Sequence, residues 1–212
     1  MASDTPIFIV TGTDTGIGKT VFAAALTGAL GASYWKPIQA GLEGETDART
    51  VVRLAELAPA RIVTSAYSLK RPASPHIAAA AEDVDIRQRE LGLPVVNGPL
   101  VVEGAGGLMV PLSPRLLQID LFAHWGQPVI LVARTALGTI NHSLLSLEAL
   151  RRRRVPVHGV VFIGDHEPEA ETTITTMGRV RRLGRLPRLD PLTPTTLRQA
   201  FADNFDVMDF MV

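Results

Sequence analysis

Short apolar runs alternate with amphipathic stretches along the chain, and the spacing within each run predicts its element. Ile7 to Val10 is apolar at every position and rich in β-branched residues, as expected of a strand buried on both faces. Val21 to Leu30 is Ala- and Leu-rich and reads as a helix. Tyr34 to Ile38 reads as a strand, and Asp47 to Leu57 as an amphipathic helix with apolar positions 51, 54, 55 and 57. Leu100 to Glu103 predicts a strand, Leu116 to Trp125 a helix, Val129 to Val132 a strand and Asn141 to Leu150 a helix. Val157 to Ile163 is a further strand. The polar stretch from Pro168 to Arg182 has room for a helix, and Pro194 to Phe205 reads as a closing helix that starts at a proline. Strands separated by helices imply crossover units and an α/β architecture: a mainly parallel sheet flanked by helices on both faces. No repeat or long linker divides the chain, so residues 1–212 are expected to form a single domain. In such sheets ligands bind beyond the carboxyl ends of the strands, so motifs at those ends carry the functional argument.

Composition narrows the class. At 46% hydrophobic and 20% charged residues, the chain can bury a sizeable core, which excludes a disordered or fibrous protein. The absence of cysteine excludes a disulfide scaffold, a thiolate metal site and a cysteine nucleophile. Charges balance at 21 against 21, giving no general drive toward nucleic acid or anionic membranes. Met1 to Pro6 has no basic segment and leads straight into a strand, and no apolar run approaches the roughly 18 residues of a bilayer span. The expectation is a soluble cytoplasmic protein. Of the 21 cations, 18 are arginine and only Lys19, Lys36 and Lys70 are lysine, and the first two stand beside a glycine-rich and a proline-marked turn. Lysine is a compact, flexible point charge suited to phosphate oxygens.

The segment Gly12-Thr13-Asp14-Thr15-Gly16-Ile17-Gly18-Lys19-Thr20 follows the first strand and opens the first helix. Successive backbone N–H groups at a glycine turn and a helix N-terminus form an anion nest. Lys19 would reach the β- and γ-phosphates of a nucleotide, and the Thr20 hydroxyl would sit on Mg²⁺. The general phosphate-loop pattern has four residues between its outer glycines, whereas Gly12 and Gly18 enclose five, a wider loop.

Three further segments lie at strand or helix ends. Lys36, in Trp35-Lys36-Pro37, ends the second strand; read alone it is either a surface lysine on a turn or a cation facing the phosphate loop. Asp47 opens a helix, where a capping role and a functional one are equally open. Glu103 ends a buried strand ahead of Gly104-Ala105-Gly106-Gly107, taken as a flexible loop, and beside a phosphate loop such a carboxylate points to Mg²⁺. His76, in a proline-marked loop from Arg71 to Ile77, reads as a histidine held by backbone hydrogen bonds. Arg151 to Arg154 reads as a solvated helix end that complements the helix dipole.

Taken together, Gly-Thr-Asp-Thr-x-x-Gly-Lys-Thr (12–20), Lys-Pro-x-x-x-Gly (36–41), Ser-Pro-His (74–76), Val-Glu-Gly-Ala-Gly-Gly (102–107) and Leu-Gly-Thr-Ile-Asn-His (137–142) resemble the dethiobiotin synthetase family. The order and spacing match over roughly residues 7–165, and the five-residue gap in the phosphate loop is the family's own. The resemblance implies a homodimer with shared active sites, a seven-stranded parallel sheet of the phosphate-loop NTPase kind, and ligase chemistry in biotin synthesis. The substrates it implies are 7,8-diaminononanoate, CO₂ and ATP or another nucleoside triphosphate with Mg²⁺. One amine captures CO₂ as a carbamate, the carbamate oxygen attacks the γ-phosphate to give a carbamic–phosphoric anhydride, and the second amine displaces phosphate to close a cyclic urea.

On the same resemblance, Lys19, Lys36 and Thr15 are the catalytic candidates. Gly16, Ile17, Gly18, Lys19, Thr20 and Val21 would hold the phosphates, with Asp47, Glu103, Gly104, Ala105 and Gly106 beside them, and Pro187, Arg188 and Leu189 would touch the base. Thr15, Lys36 and Ser74 would meet the substrate. Leu137, Gly138, Thr139, Ile140 and Asn141 of the other subunit would receive its carboxylate at a helix start. Thr20, Asp47 and Glu103 would hold Mg²⁺. Three positions depart from the family: Gly16 stands where a glutamate is frequent, Ala40 where a hydroxyl residue is common, and Val160 to Gly164 lacks the asparagine that reads adenine. Two other functions compete. A partitioning-type nucleotide-switch ATPase would carry an additional lysine near the loop start, and positions 12–18 contain none. An amidotransferase-type ligase acting on a corrin precursor would need a glutaminase domain with a cysteine nucleophile, for which this chain has neither the cysteine nor the room.

Overall fold

The computed structural model describes residues 5–211; residues 1–4 and 212 lie outside it, so the expectation for the Met1–Pro6 terminus falls largely outside the described residues. In chain order the elements are β1 (Ile7–Gly12), α1 (Lys19–Leu30), β2 (Ser33–Trp35), β3 (Ile38–Ala40), α2 (Asp47–Ala55), β4 (Ile62–Val63), β5 (Tyr67–Leu69), α3 (Pro75–Ala81) and β6 (Leu100–Gly107). They continue with β7 (Pro111–Ser113), β8 (Leu116–Leu117), α4 (Gln118–Trp125), β9 (Val129–Arg134), α5 (Thr139–Arg152), β10 (Val157–Ile163), α6 (Pro168–Met177), β11 (Arg182–Leu186) and α7 (Pro194–Asn204). Short 3₁₀ turns punctuate this series. Seven strands form one sheet in the order β11-β10-β9-β1-β6-β2-β4, every pair parallel.

Alternation within each strand builds the layers. Phe8, Val10, Tyr34, Val101, Ile130, Val132 and Val161 pack with Phe22 and Leu26 of α1, Val51 and Leu54 of α2 and Phe201 of α7. Ile9, Trp35, Leu100, Val102 and Val129 face the other way, onto Ala78 of α3 and Phe122 of α4. Leu131, Ala133, Val160 and Phe162 meet Leu147 of α5 and Ile174 of α6. Helices on both faces explain why the strands read as continuous apolar runs. Among the described residues no helix is long and apolar enough to cross a membrane.

Several boundaries differ from the sequence reading. The strand predicted for Tyr34 to Ile38 breaks at Lys36-Pro37, because proline has no N–H to donate to a ladder. The chain leaves the main sheet after Trp35, and β3 pairs with β5 in a separate ribbon. The glycine loop after Glu103 is an extension of β6 rather than a flexible segment, and Gly107 stands opposite Gly12. Gln118 pins it, accepting from the Ala105 N–H at 2.5 Å and donating to the Gly107 carbonyl at 2.9 Å. Leu116 and Leu117 belong to a β-hairpin rather than to the helix, which begins at Gln118. The stretch Pro168 to Arg182 holds a shorter helix followed by the edge strand β11, whose Arg182 bonds Glu171 of α6 at 2.8 Å while Arg185 lies 3.7 Å from the same carboxylate. Its charged residues disguise it in sequence, as is common at edges. His76 lies in α3 rather than in a loop, with Nδ1 3.2 Å from the Pro111 carbonyl oxygen. The arginines closing α5 are not simply solvated: Arg151 bonds the Arg179 carbonyl at 3.0 Å and Arg153 bonds Asp120 at 2.8 Å.

Candidate active site

The loop from β1 to α1 crosses the carboxyl end of the central strand. Gly16 (φ 69°) and Gly18 (φ 97°) adopt left-handed conformations, which turn the loop back so that α1 starts at Lys19. A Cβ at Gly18 would also stand 3.0 Å from Ile163 Cγ2, a tight approach. The Ile17 side chain points into the core, so only its backbone can serve a phosphate. Lys19 folds over the loop and donates to the Asp14 carbonyl at 2.7 Å. Burial lowers its pKa to about 8, against the pull of Glu103, Asp47 and Asp14.

Register explains how a second cluster forms beside this loop. Tyr34 pairs with Val101 and Trp35 with Val102, so the next residues, Lys36 and Glu103, leave the two strand ends side by side on the α1 face. Lys36 Nζ donates to Glu103 Oε1 at 2.9 Å and to the Gly104 carbonyl at 3.2 Å, and it pairs with Asp47 Oδ2 at 2.7 Å. Burial alone would lower the Lys36 pKa, but the charges of Glu103 and Asp47 outweigh it and hold the ammonium above its ordinary value. In the same way Lys36 overcomes the effect of burial on Asp47 and keeps its carboxyl below the usual range. Thr46 caps α2, with its side chain accepting from Arg49 N, and this leaves the Asp47 carboxylate for the cluster instead of the helix end. Gln39 Oε1 accepts from Asp47 N at 3.3 Å and fixes the start of α2 against β3.

Thr20 Oγ1 lies 2.9 Å from Glu103 Oε1 and 3.1 Å from Asp47 Oδ1. A hydroxyl has one proton, so it cannot donate to both carboxylates at once. A hydroxyl and two carboxylates converge here, and a hard cation with oxygen preference fits that donor set. Among the described residues no three His, Asp or Glu side chains cluster as a metal cage. Two carboxylates and a hydroxyl are donors of the kind Mg²⁺ takes beside waters and substrate phosphates.

These groups line a cavity of about 660 Å³. Of the residues expected from sequence, Thr15, Gly16, Gly18, Lys19, Thr20, Val21, Lys36, Asp47, Ser74, Glu103, Ala105 and Gly106 all face it. Ser74 precedes α3, and its hydroxyl caps nothing. Ile38, Ala40 and Pro75 also line it, as do Gln39, Pro72, Ala73 and Val110, which sequence reading did not single out because nothing in their spacing marks chemistry. Tyr34 was also missed, read only as a strand residue, although its hydroxyl donates to Glu103 Oε2 at 2.8 Å. Burial, with the Glu103 charge added, raises its pKa well above the usual phenol value, so it remains a donor. The one available signal was its position two residues before Lys36, hence on the same strand face.

Two predicted groups stand away from this cavity. Leu137 is fully exposed, and Gly138 (φ 92°) precedes α5, whose first residue Thr139 is buried with an unpartnered hydroxyl. Pro187 to Leu189 follow β11, at the far side of β10 from the phosphate loop, and Leu189 packs on the core. Neither segment lines the wall described above.

The AAA domain family matches residues 7–196. The chain is 64% identical over 204 residues to the ATP-dependent dethiobiotin synthetase BioD of Agrobacterium fabrum, covering 96% of each chain. It is 60% identical over 203 residues to the protein of that name from Rhodopseudomonas palustris, covering 96% of this chain and 95% of the relative. Among solved structures it resembles chloroplast FtsY from Physcomitrella patens, with a TM-score of 0.57, 14% identity, and coverage of 99% of this chain and 65% of that one. It also resembles a ParA family ATPase from Chlorobium tepidum, with a TM-score of 0.52, 9% identity, and coverage of 96% and 92%. At such identities the likeness shows a common fold and no more.

Proposed function

The chain belongs to the AAA domain family and, within it, to the ATP-dependent dethiobiotin synthetases, and from that premise we propose how its residues share the work. The substrates are 7,8-diaminononanoate and CO₂, and ATP activates the carbamate they form. The observation that carries this reading is the meeting of Lys19, Lys36, Thr20, Asp47 and Glu103 in one cavity at the mouth of the phosphate loop. Phosphoryl transfer needs positioning and charge neutralisation more than covalent help, and this cluster supplies both.

Gly16 to Thr20 receive the triphosphate on backbone amides, and Lys19 exchanges the Asp14 carbonyl for phosphate oxygens. Lys36 draws the anionic carbamate and the γ-phosphate together, a stabilisation that grows as their charges approach. Thr20, Asp47 and Glu103 would hold Mg²⁺, which when bound neutralises phosphate charge. Thr15 and Ser74, both on the cavity wall, contact the diamine. The carbamate oxygen takes the γ-phosphoryl group, and the second amine then displaces phosphate as the ring closes.

The diamine's carboxylate is received at the start of α5 from a second subunit. Leu137, fully exposed ahead of a helix N-terminus, supports this, since an apolar side chain so placed suits an interface. The base lies toward Ile163, Gly164 and Pro187 to Leu189. The metal-side groups occupy the β6–β2 side of the phosphate loop, so the nucleoside leaves on the β9–β10 side, past the contact of Gly18 with Ile163. A nucleotide switch is not favoured, because the named relatives are synthetases.

The test is phosphate release with diamine and bicarbonate present together or singly omitted. The proposal expects release only with both and one cyclic urea per phosphate. Fast hydrolysis indifferent to the diamine would overturn it.

A further inference from the structure

Resting on the reading of Glu103 as a cation-site carboxylate, we propose that Tyr34 is a positioning residue whose phenol sets the plane of that carboxylate. The Tyr34 hydroxyl donates to Glu103 Oε2 at 2.8 Å, while Oε1 faces Thr20 at 2.9 Å and Lys36 at 2.9 Å. The two oxygens therefore have separate duties. One is tied to the strand framework, and the other is presented to the phosphate loop, the catalytic lysine and the cation.

The strand register makes this contact unavoidable. Tyr34 stands opposite Val101 in the β2–β6 pair, so Glu103 is its diagonal neighbour, two residues on and on the same face. The phenol ring extends along the sheet far enough for its hydroxyl to reach that carboxylate. Trp35, between them in sequence, points to the opposite face and bonds the Thr64 carbonyl. Lys36 occupies the position beside Glu103 itself, so Tyr34 and Lys36 approach the carboxylate from two directions of one strand.

Packing does not account for the hydroxyl. The Tyr34 ring sits fully buried in the layer of Phe8, Val10 and Val101, where phenylalanine would fill the same space. A buried hydroxyl is costly unless bonded, and here its partner is a carboxylate that is itself 1% exposed. A charge-assisted bond of this kind is directional and stronger than a neutral one. Without it, Glu103 could rotate about its terminal torsion, which is broad, and Oε1 would no longer be held toward Thr20 and Lys36. Such a rotation would take Oε1 out of the donor set that it forms with Thr20 and Asp47. Groups that orient a ligating carboxylate commonly govern metal affinity by about 10- to 100-fold.

The experiment is Tyr34→Phe, which removes a single atom. Mn²⁺ affinity is measured by electron paramagnetic resonance with a non-hydrolysable ATP analogue bound, and analogue affinity is measured separately in chelator. The expected result is Mn²⁺ binding weakened about tenfold or more, with metal-free nucleotide affinity within about twofold and kcat lowered more than the KM for the nucleotide. Glu103→Gln runs alongside. If that variant weakens Mn²⁺ binding and Tyr34→Phe does not, the positioning role is overturned while the cation site stands. If neither variant changes Mn²⁺ binding, the cation-site reading of Glu103 fails and takes this proposal with it. A proportional loss of metal-free nucleotide binding in Tyr34→Phe would show a general packing role and also overturn it.

Discussion

Lys36 and Glu103, 67 residues apart in the chain, meet at 2.9 Å with side chains 7% and 1% exposed. An ammonium so enclosed contributes little as a surface charge and much as a preorganised one, because few water dipoles need to reorient when anionic charge gathers beside it. Asp47, 31% exposed, closes the pair on its outer side at 2.7 Å.

Lys36→Gln should therefore lower kcat by about 10² or more, in the range seen when one preorganised donor is removed from developing charge. Thr20 and Tyr34 still donate to Glu103 in that variant, so the fold persists. Steady-state phosphate release is the measurement. Turnover close to that of the unmodified protein would remove Lys36 from the mechanism.

Asn141→Ala should raise the KM for the diamine and leave nucleotide affinity nearly intact, since α5 begins away from the phosphate loop. If active sites are shared across a two-fold axis, mixing two impaired variants, Lys36→Gln and Asn141→Ala, should restore activity that neither has alone. A mixture no more active than the average of its parts, or a fully active monomer, argues for a site built from one chain.

Base discrimination should be loose. Adenine selection uses a side chain that accepts from its amino group and donates to a ring nitrogen, and neither Ile163 nor Gly164 can do so. Gly164 (φ 125°) has no space for a larger side chain, because a Cβ there would stand 2.5 Å from Thr135 Oγ1. The expectation is kcat/KM for CTP and GTP within about tenfold of that for ATP, a difference of about 1.4 kcal/mol. Assays at equal Mg²⁺ and saturating diamine decide it. An ATP preference of several hundredfold would mean that another group, such as the exposed Asp165 carboxylate, reads the base.

His158 supplies a pH dependence unrelated to catalysis. It packs between Phe8 and Phe210 and bonds the Asp209 carbonyl through Nε2 at 2.8 Å. Burial lowers its pKa from the ordinary 6.5, and nearby Arg181 adds to this, against the opposing pull of Asp209. As the pH falls below that ordinary value the unfolded chain takes up a proton that the folded chain resists, so this group lowers stability on acidification until the folded pKa is reached. His158→Gln keeps a donor for the carbonyl but does not titrate. Urea unfolding between about pH 5 and 7 should show a flatter pH dependence in that variant. Parallel pH profiles for the two proteins would exclude the assignment.

The central strands, most of the helices between them and the phosphate loop were legible in the chain because they are local, whereas the edge strands β4 and β11 and the helix α3 were not. Ile7 to Val10 announces a doubly buried strand by being apolar throughout, and Gly16, Gly18, Lys19 and Thr20 are neighbours whose chemistry needs only a strand before them and a helix after. The carboxylate and lysine motifs were legible as separate pieces, each with an ordinary structural alternative. Tertiary structure decided which reading held. Parallel pairing of β2 with β6 at one particular register brought Lys36 beside Glu103, and Thr46, by taking the helix cap, left Asp47 to the cluster. It also decided what no local pattern could carry. The ladder break at Pro37 sent β3 into a separate ribbon, Gln118 pinned a glycine run as strand, and Arg-rich β11 became an edge by pairing with β10, its Arg182 bonded to Glu171. Tyr34 shows the division most clearly. An aromatic residue in a strand predicts burial from sequence, but whether its hydroxyl finds a partner depends on the diagonal neighbour across the sheet, 69 residues away. Local sequence determines propensity and pattern, whereas register is a property of two strands at once, and this site is made from register.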